Sequence, residues 1–158
     1  MVEAGGFDAI IAFPAMKVGV RTEGGVVRAI RYLAPETPEV APRNSLAERA
    51  AQQLVRYRDD PDAVFDLPIV PRGTGFQQRV WDALLRIPRG TVLTYGALAG
   101  RIGGVARAVG QACGENRLPI VIPCHRVVAA NGIGGFSHSR SGYLIEAKRW
   151  LLGHEQAI

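Results

Sequence analysis

The first seventy residues alternate short apolar segments with turn residues, a pattern that predicts β-strands. Residues 7–13 are mostly apolar, residues 17–21 alternate in polarity, and a turn at Glu23-Gly24-Gly25 leads into residues 26–33. Consecutive strands joined by tight turns pair in opposite directions. The pattern therefore predicts an antiparallel meander.

A helix is predicted after a proline-rich connector at residues 35–42. Asn44 or Ser45 can cap it, apolar residues follow at helical spacing to about Arg58, and Asp59-Asp60-Pro61 ends it. Nothing in this first half gathers a nucleophile, a base and an orienting group within a short span. We interpret it as a small α/β support domain.

The pattern changes near a linker at residues 68–73, so we divide the chain into domains at 1–70 and 71–158. Thr74 and Gln77 have the spacing of a capping box, and the helix that follows has one apolar stripe. The stripe consists of Phe76, Val80, Trp81, Leu84 and Ile87. We interpret Trp81 as a core residue rather than a platform on which a base stacks.

Two short helices around a glycine turn are predicted next, which is typical of a helix-turn-helix unit. Thr94 can cap the first, which runs to Ile102; Gly103-Gly104 makes the turn, and residues 105–112 form the second. The second helix of such a unit presents its N-terminal residues to DNA, and Arg107 lies there. Its other residues are small and apolar, which suits reading of shape and backbone. The alternative is a plain helical hairpin with a solvated arginine.

Composition narrows the setting of the protein. The 158 residues are 47% hydrophobic, which is typical of a globular protein, and carry a formal charge of +5, which favours polyanionic partners without establishing one. The start of the chain lacks the basic and apolar segments of a signal peptide, and no run approaches the ~18 apolar residues of a membrane helix. We expect a cytoplasmic protein that contacts no membrane.

The chain has two cysteines, Cys113 and Cys124, and neither belongs to a C-x-x-C pair. We expect both to be reduced, with no metal and no cofactor. Cys124 directly precedes His125, and a thiol beside an imidazole can form a strong nucleophile because the thiolate attacks carbon. The alternative is an inert structural thiol, since free cysteine is among the most buried residue types.

Together these elements resemble the O6-alkylguanine-DNA alkyltransferases, also called methylated-DNA-protein-cysteine methyltransferases. The resemblance runs from about Gly75 to Glu155. It rests on Phe76-Gln77-Gln78-Arg79-Val80-Trp81, Ile87-Pro88-Arg89-Gly90, Thr94-Tyr95-Gly96-Ala97-Leu98-Ala99, Ala106-Arg107-Ala108-Val109-Gly110, Asn116, Ile120-Val121-Ile122-Pro123-Cys124-His125-Arg126-Val127 and Lys148-Arg149-Trp150-Leu151-Leu152. The Pro-Cys-His-Arg-Val element is highly specific when the other elements accompany it in this order.

The resemblance implies an α/β (α+β) fold of two domains. The N-terminal one, matched only in outline, is a sheet-plus-helix domain of ribonuclease H-like topology; the other is mainly helical, of winged helix-turn-helix type. The implied function is DNA repair by direct reversal, with irreversible transfer of the alkyl group of O6-alkylguanine to Cys124, once per molecule. The implied partner is double-stranded DNA containing O6-alkylguanine, and we expect a monomer. The preferred alkyl group and activity on O4-alkylthymine stay open.

The resemblance also implies catalytic roles. Cys124 is the acceptor, His125 draws the thiol proton through a water, and Glu155 orients the histidine. Asn116 resembles the hinge that ties the helix-turn-helix to the active-site strand. Water cannot displace the thiol from a thioether, so each molecule works once. Cys113 cannot restore it because disulfide exchange requires an S–S bond, and we interpret Cys113 as a packing residue.

A stacked guanine must leave the duplex before a buried thiol can reach it. Arg107 resembles the finger that enters the base stack, with Ala106, Ala108 and Gly110 on the same DNA-facing helix. Tyr95 resembles the residue that presses on the adjacent phosphate and donates its hydroxyl hydrogen to guanine N3.

The implied substrate pocket has Pro119 as a wall. The carbonyls of Cys124 and Val127 accept from the exocyclic amine, and the backbone N–H of Ser137 donates to O6. Phe136 stands where relatives often have an aromatic residue with a hydroxyl, in a loop that is longer than in many of them. Some relatives hold zinc through N-terminal cysteines that this chain lacks, so we expect no zinc.

Three other function classes stay open. A binding-only relative would recognise damaged DNA without transfer, but such proteins replace the cysteine found at Cys124. A cysteine hydrolase would have no need for Arg107 or Tyr95. The third class is a DNA-binding regulator without chemistry.

Overall fold

The computed structural model describes residues 6–134 and 142–158. The chain divides into two compact units, the first ending at Val70 and the second beginning at Pro71. Each unit has its own buried apolar residues and combines helices with short strands. The fold is therefore mixed α/β, as the sequence predicts.

The first unit is built from an antiparallel sheet and one helix. Its strands are β1 (Ala9–Ala12), β2 (Lys17–Glu23) and β3 (Val26–Leu33), and they pair in the order β1-β2-β3. Helix α1 (Ser45–Asp59) follows the strands. The predicted meander and the helix after it are both confirmed.

The core of the first unit lies between the sheet and α1, which packs against all three strands. Val20 on the central strand lies opposite Ala9 on one side and Ile30 on the other, and all three side chains are buried. Asn44 Oδ1 accepts a hydrogen bond from Ala47 N at 2.8 Å. Of the two predicted capping residues, Asn44 is therefore the one that caps α1.

The second unit is mainly helical. Its elements are α2 (Gly75–Leu84), β4 (Leu93–Thr94), α3 (Tyr95–Ile102), α4 (Ala106–Gly114), β5 (Val127–Val128) and α5 (Tyr143–His154). Strands β4 and β5 pair as a small parallel sheet. Cys124–Arg126 forms a single turn of 3₁₀-helix between α4 and β5.

Helix α2 begins with the predicted capping box. Gln77 N donates to Thr74 Oγ1 at 3.1 Å, and Thr74 N donates to Gln77 Oε1 at 2.9 Å. Trp81 is 3% exposed, and its Nε1 donates to Ala112 O of α4 at 3.0 Å. Trp81 is therefore a core residue, as predicted, and its indole N–H holds α4 against α2.

The turn between α3 and α4 requires the two glycines that the sequence places there. Thr94 Oγ1 accepts from Ala97 N at 3.0 Å at the start of α3, and Gly103 ends that helix at φ +76°, in the left-handed region. Gly104 lies against Phe76: a Cβ at this position would come within 2.8 Å of the ring. The paired short helices are confirmed, and Phe76 of α2 is the residue against which their turn packs.

The active-site strand that the resemblance implies does not lie directly before Cys124. Residues 118–122 form turns and bends, and the short strand β5 comes after Cys124. Ile120 is buried at φ +74°, which a β-branched residue rarely adopts. Hydrogen bonds of the Asn116 side chain with Ile122 O and Leu118 N hold this segment in a turn.

Within the described ranges, every helix is too short or too polar to span a lipid bilayer. Residues 6–134 and 142–158 also contain no group of three or more His, Cys, Asp or Glu side chains that could hold a metal ion.

Candidate active site

Cys124 is the first residue of the 3₁₀ turn and is 5% exposed. Its backbone N–H donates to Ile122 O at 2.8 Å. The same carbonyl accepts from Asn116 Nδ2 at 2.9 Å, while Asn116 Oδ1 accepts from Leu118 N at 2.9 Å. Asn116 comes directly after Glu115, the C-cap residue of α4. Its side-chain amide therefore connects the end of that helix to the backbone that carries the thiol.

Ile120 lies within the loop that Asn116 holds. A non-glycine residue at positive φ costs on the order of 1–3 kcal/mol and persists only where the surrounding structure imposes it. Here the imposing contacts are the hydrogen bond from Ile122 N to Leu118 O at 2.8 Å and the two Asn116 bonds on either side. The approach to Cys124 is therefore a fixed turn rather than a free segment.

His125 and Glu155 form a fully buried pair. His125 Nε2 lies 2.9 Å from Glu155 Oε2, and both side chains are 0% exposed. A carboxylate can only accept, so Nε2 carries the hydrogen and Nδ1 is left with its lone pair. Among the described residues, Nδ1 has no hydrogen-bond partner. The arrangement leaves one imidazole nitrogen free to accept a proton.

Burial governs the protonation of both the thiol and the imidazole. It raises the pKa of Cys124, against which the Asn116 hydrogen bond and the Lys148 charge act in the opposite direction. Burial also lowers the pKa of His125, although the hydrogen bond to Glu155 acts to raise it. The resting pair is thus a neutral thiol and a neutral imidazole, and a base must act before the thiol can attack.

The side chain of Arg126 also contacts the carboxylate of Glu155. The sequence did not predict a role for this side chain. Its Nε donates to Glu155 Oε1 at 2.9 Å and its Nη2 to Glu155 Oε2 at 3.0 Å. Its Nη1 donates to Ile87 O at 2.6 Å. Arg126 follows His125 directly in the sequence, which is the only local signal that could have pointed to it.

Lys148 is a second residue that sequence reasoning missed. It lies on α5, is 0% exposed, and donates from Nζ to Val127 O at 2.8 Å. Nζ is 5.7 Å from the centre of the Tyr95 ring. Burial lowers the pKa of Lys148 to about 8 and raises that of Tyr95 to about 12. The burial of Lys148 could have been predicted from its spacing, because it stands three residues after buried Ile145 on the apolar face of α5.

The predicted DNA-facing residues lie on the exposed side of α4. Arg107 and Ala106 are exposed, and Ala108 and Gly110 are half-buried. The opposite side of the helix is buried through Val109 and Ala112. No side chain caps the start of α4. This leaves a small-residue surface with one exposed arginine in its first turn.

The predicted pocket residues are only partly described. Pro119 and Val127 are buried. Val127 O already accepts from Lys148, and Cys124 O accepts from Val127 N, so each carbonyl has one further lone pair to offer. Gly134, at φ +76°, lies against Tyr95: a Cβ here would be 3.3 Å from the ring.

Phe136 and Ser137 lie outside the described residues. Cys113 is half-buried on α4, and burial raises its pKa, with the charge of Cys124 as a smaller cause. Its raised pKa fits the packing role expected from the sequence, because a thiol that resists ionisation is a poor nucleophile.

Comparison with known proteins identifies the family. A family model described as the DNA-binding domain of 6-O-methylguanine DNA methyltransferase matches residues 75–157. The methylated-DNA-protein-cysteine methyltransferase of Mycobacterium bovis is 39% identical over 137 residues, covering 80% of this chain and 83% of the relative. The crystal structure of Mycobacterium tuberculosis O6-methylguanine methyltransferase has a TM-score of 0.77 at 37% identity, covering 94% of this chain and 91% of that one. Mycobacterium tuberculosis OGT in complex with DNA has a TM-score of 0.75, with the same identity and coverage. This chain therefore belongs to the methylated-DNA-protein-cysteine methyltransferase family.

Proposed function

We propose that this protein repairs double-stranded DNA by direct reversal, moving the alkyl group of O6-alkylguanine to Cys124 in a single irreversible turnover. The observation that carries the proposal is the buried His125–Glu155 pair beside Cys124, with Nδ1 of the imidazole open. We also propose that it acts as a monomer in the cytoplasm, where thiols stay reduced.

The transfer is one in-line displacement. The proton of the Cys124 thiol passes through a water to Nδ1 of His125, and Glu155 stabilises the imidazolium that forms. The thiolate attacks the alkyl carbon, an S–C bond forms, and the C–O6 bond breaks with its electron pair on guanine. The guanine anion takes up one proton, so that unmodified guanine and an S-alkylcysteine remain.

Residues of helices α3 and α4 offset the free-energy cost of extracting the base from the duplex. In our proposal Arg107 enters the stack from the exposed first turn of α4, with Ala106, Ala108 and Gly110 close to the backbone of the duplex. The Tyr95 hydroxyl donates a hydrogen bond to guanine N3. Its pKa of about 12 means that this oxygen keeps its hydrogen at neutral pH.

The remaining assignments complete the pocket. Asn116 holds the turn before the thiol, Pro119 forms a wall, and the carbonyls of Cys124 and Val127 receive the exocyclic amine. From the resemblance we also propose that Phe136 belongs to the loop that borders the pocket and that the N–H of Ser137 donates to O6.

The other function classes are less well supported. A binding-only protein would need no neutral base beside a buried thiol. A cysteine hydrolase would bind peptides or esters, for which an exposed arginine on a small-residue helix has no use. A regulator without chemistry leaves Cys124, His125 and Glu155 without a purpose.

One experiment tests the proposal. The protein is incubated with a duplex carrying O6-methylguanine, and peptide mass spectrometry locates the mass of one methyl group. We expect stoichiometric label on Cys124, no label in Cys124→Ala, and full label in Cys113→Ala, the matched variant of the other cysteine. Protein that binds the duplex and stays unlabelled would instead support the binding-only class. A second duplex carrying O4-methylthymine defines the substrate range.

A further inference from the structure

We propose that Arg126 is a positioning residue that balances the charge of Glu155 and so keeps His125 a neutral base. The inference rests on the proposed function, because it concerns the base of the transfer reaction. In this proposal Arg126 does not touch the alkyl group and acts only through the carboxylate of Glu155.

The guanidinium has three directed contacts. Nε and Nη2 each donate to a different oxygen of Glu155, at 2.9 and 3.0 Å, in a fork that fixes the plane of the carboxylate. Nη1 donates to Ile87 O at 2.6 Å, which anchors the fork to the turn after α2. Glu155 Oε2 therefore accepts from both Arg126 and His125, and the position of the imidazole depends on where Arg126 holds the carboxylate.

The charges of Arg126, Glu155 and His125 balance one another. With Arg126 cationic, Glu155 anionic and His125 neutral, the group carries no net charge. Removing the guanidinium would leave one uncompensated negative charge on a carboxylate that is 0% exposed. Isolated buried charges are costly, and proteins usually neutralise them by changing protonation. The pair of His125 and Glu155 would then hold one additional proton at pH values where the native pair is free to accept one.

Other charged groups do not replace Arg126. Lys148 on α5 also acts to lower the pKa of His125, but it is the smallest of the contributions and its ammonium is directed to Val127 O. Helix α2 also packs against the 3₁₀ turn. Its charged residues, Arg79 and Asp82, are exposed, and the guanidinium of Arg79 lies over the Phe76 ring, 5.3 Å from its centre.

The test follows single-turnover alkylation of Cys124 by free O6-benzylguanine, read as protein mass, from pH 5 to pH 9. We compare the native protein with Arg126→Gln and Arg126→Lys, and use Arg86→Gln, an exposed arginine in the same unit, as the matched control. The free base removes duplex binding from the measurement.

We expect the acid limb of the Arg126→Gln profile to move to higher pH by about one unit, so that the loss of rate approaches about tenfold at pH values below the native acid limb and becomes small at pH 8. Arg126→Lys keeps a charge but loses the fork, so its acid limb should stay close to the native one at a lower overall rate. Arg86→Gln should match the native protein throughout. A uniform loss in Arg126→Gln without a shift, or no loss at all, would overturn the inference.

A second measurement follows the protonation of His125 directly, in the native protein and in Arg126→Gln. Nitrogen-15 NMR of the native protein reports the imidazole of His125, which should remain protonated only at Nε2 at pH 7. An imidazolium at pH 7 would contradict the inference. If native protein never acquires the benzyl mass, the proposed function fails, whereas the difference between the imidazole titrations of native protein and Arg126→Gln still tests the role of Arg126.

Discussion

The imidazole of His125 and the carboxylate of Glu155 meet at 2.9 Å with neither side chain exposed to solvent, although 30 residues separate them in the chain. The contact joins the 3₁₀ turn that carries the thiol to the C-terminal end of α5. It also determines the tautomer, since only an imidazole with hydrogen on Nε2 can donate to the carboxylate. The tautomer and the position of the imidazole beside Cys124 therefore depend on where α5 ends.

We predict that Glu155→Gln slows alkyl transfer by about 10²-fold or more. The amide cannot stabilise an imidazolium, and a positioned general base contributes about 10²–10⁴-fold. The measurement is the single-turnover rate on an O6-methylguanine duplex, with thermal melting as a control for folding. A native rate in a folded variant would remove Glu155 from the mechanism.

A second prediction concerns Arg107. Arg107→Ala should slow repair of duplex DNA by at least about tenfold while leaving the reaction with free O6-benzylguanine near its native rate, because only the duplex reaction includes the cost of base extraction. Arg101→Ala, which removes an exposed arginine from α3, is the matched control and should change both rates little. Equal slowing of both substrates by Arg107→Ala would argue against a role in flipping.

The turn between α3 and α4 allows a prediction on stability. Gly104→Ala would bring a Cβ within 2.8 Å of Phe76 and should destabilise the protein by about 1–3 kcal/mol, the usual cost of overpacking. Gly100→Ala, on α3 with no atom within 4 Å of its Cβ position, should instead stabilise it by about 0.5–1 kcal/mol. Urea unfolding measures both. In a Phe76→Leu background the loss from Gly104→Ala should become smaller, and an undiminished loss would exclude this contact as its cause.

Lys148 should make stability depend on pH. Its pKa in the folded protein, about 8, lies below the unfolded value of 10.5. Between these two pH values the unfolded chain binds more protons, so raising the pH favours the folded state. The free energy of unfolding of the native protein minus that of Lys148→Met should therefore rise by about 2 kcal/mol between pH 7 and pH 10.

The control for that measurement is Arg149→Met, which removes an exposed neighbour on the same helix. Because arginine stays charged throughout this range, its difference from the native protein should not vary with pH. A difference that is also constant for Lys148→Met would show that Lys148 does not exchange its proton in this window.

Local elements could be predicted because their causes are local. Asn44, Thr74 and Thr94 each cap the helix that directly follows, and a capping side chain reaches only two or three residues along the chain. The glycine turn at Gly103 and the pairing of consecutive strands have equally short range. The turn at Ile120 was not predicted, because its left-handed backbone depends on the hydrogen bonds that the Asn116 side chain makes with Leu118 N and Ile122 O.

The sequence alone was sufficient to propose Cys124 as the acceptor and His125 as its base, because the two are neighbours within a motif that resembles the alkyltransferases. Only the tertiary structure showed which groups surround this pair. The fork from Arg126 to Glu155 and the complete burial of Lys148 arise where α5 packs against the rest of its unit. Burial and charge pairing depend on which surfaces meet after the chain has closed, and no spacing within one element specifies that.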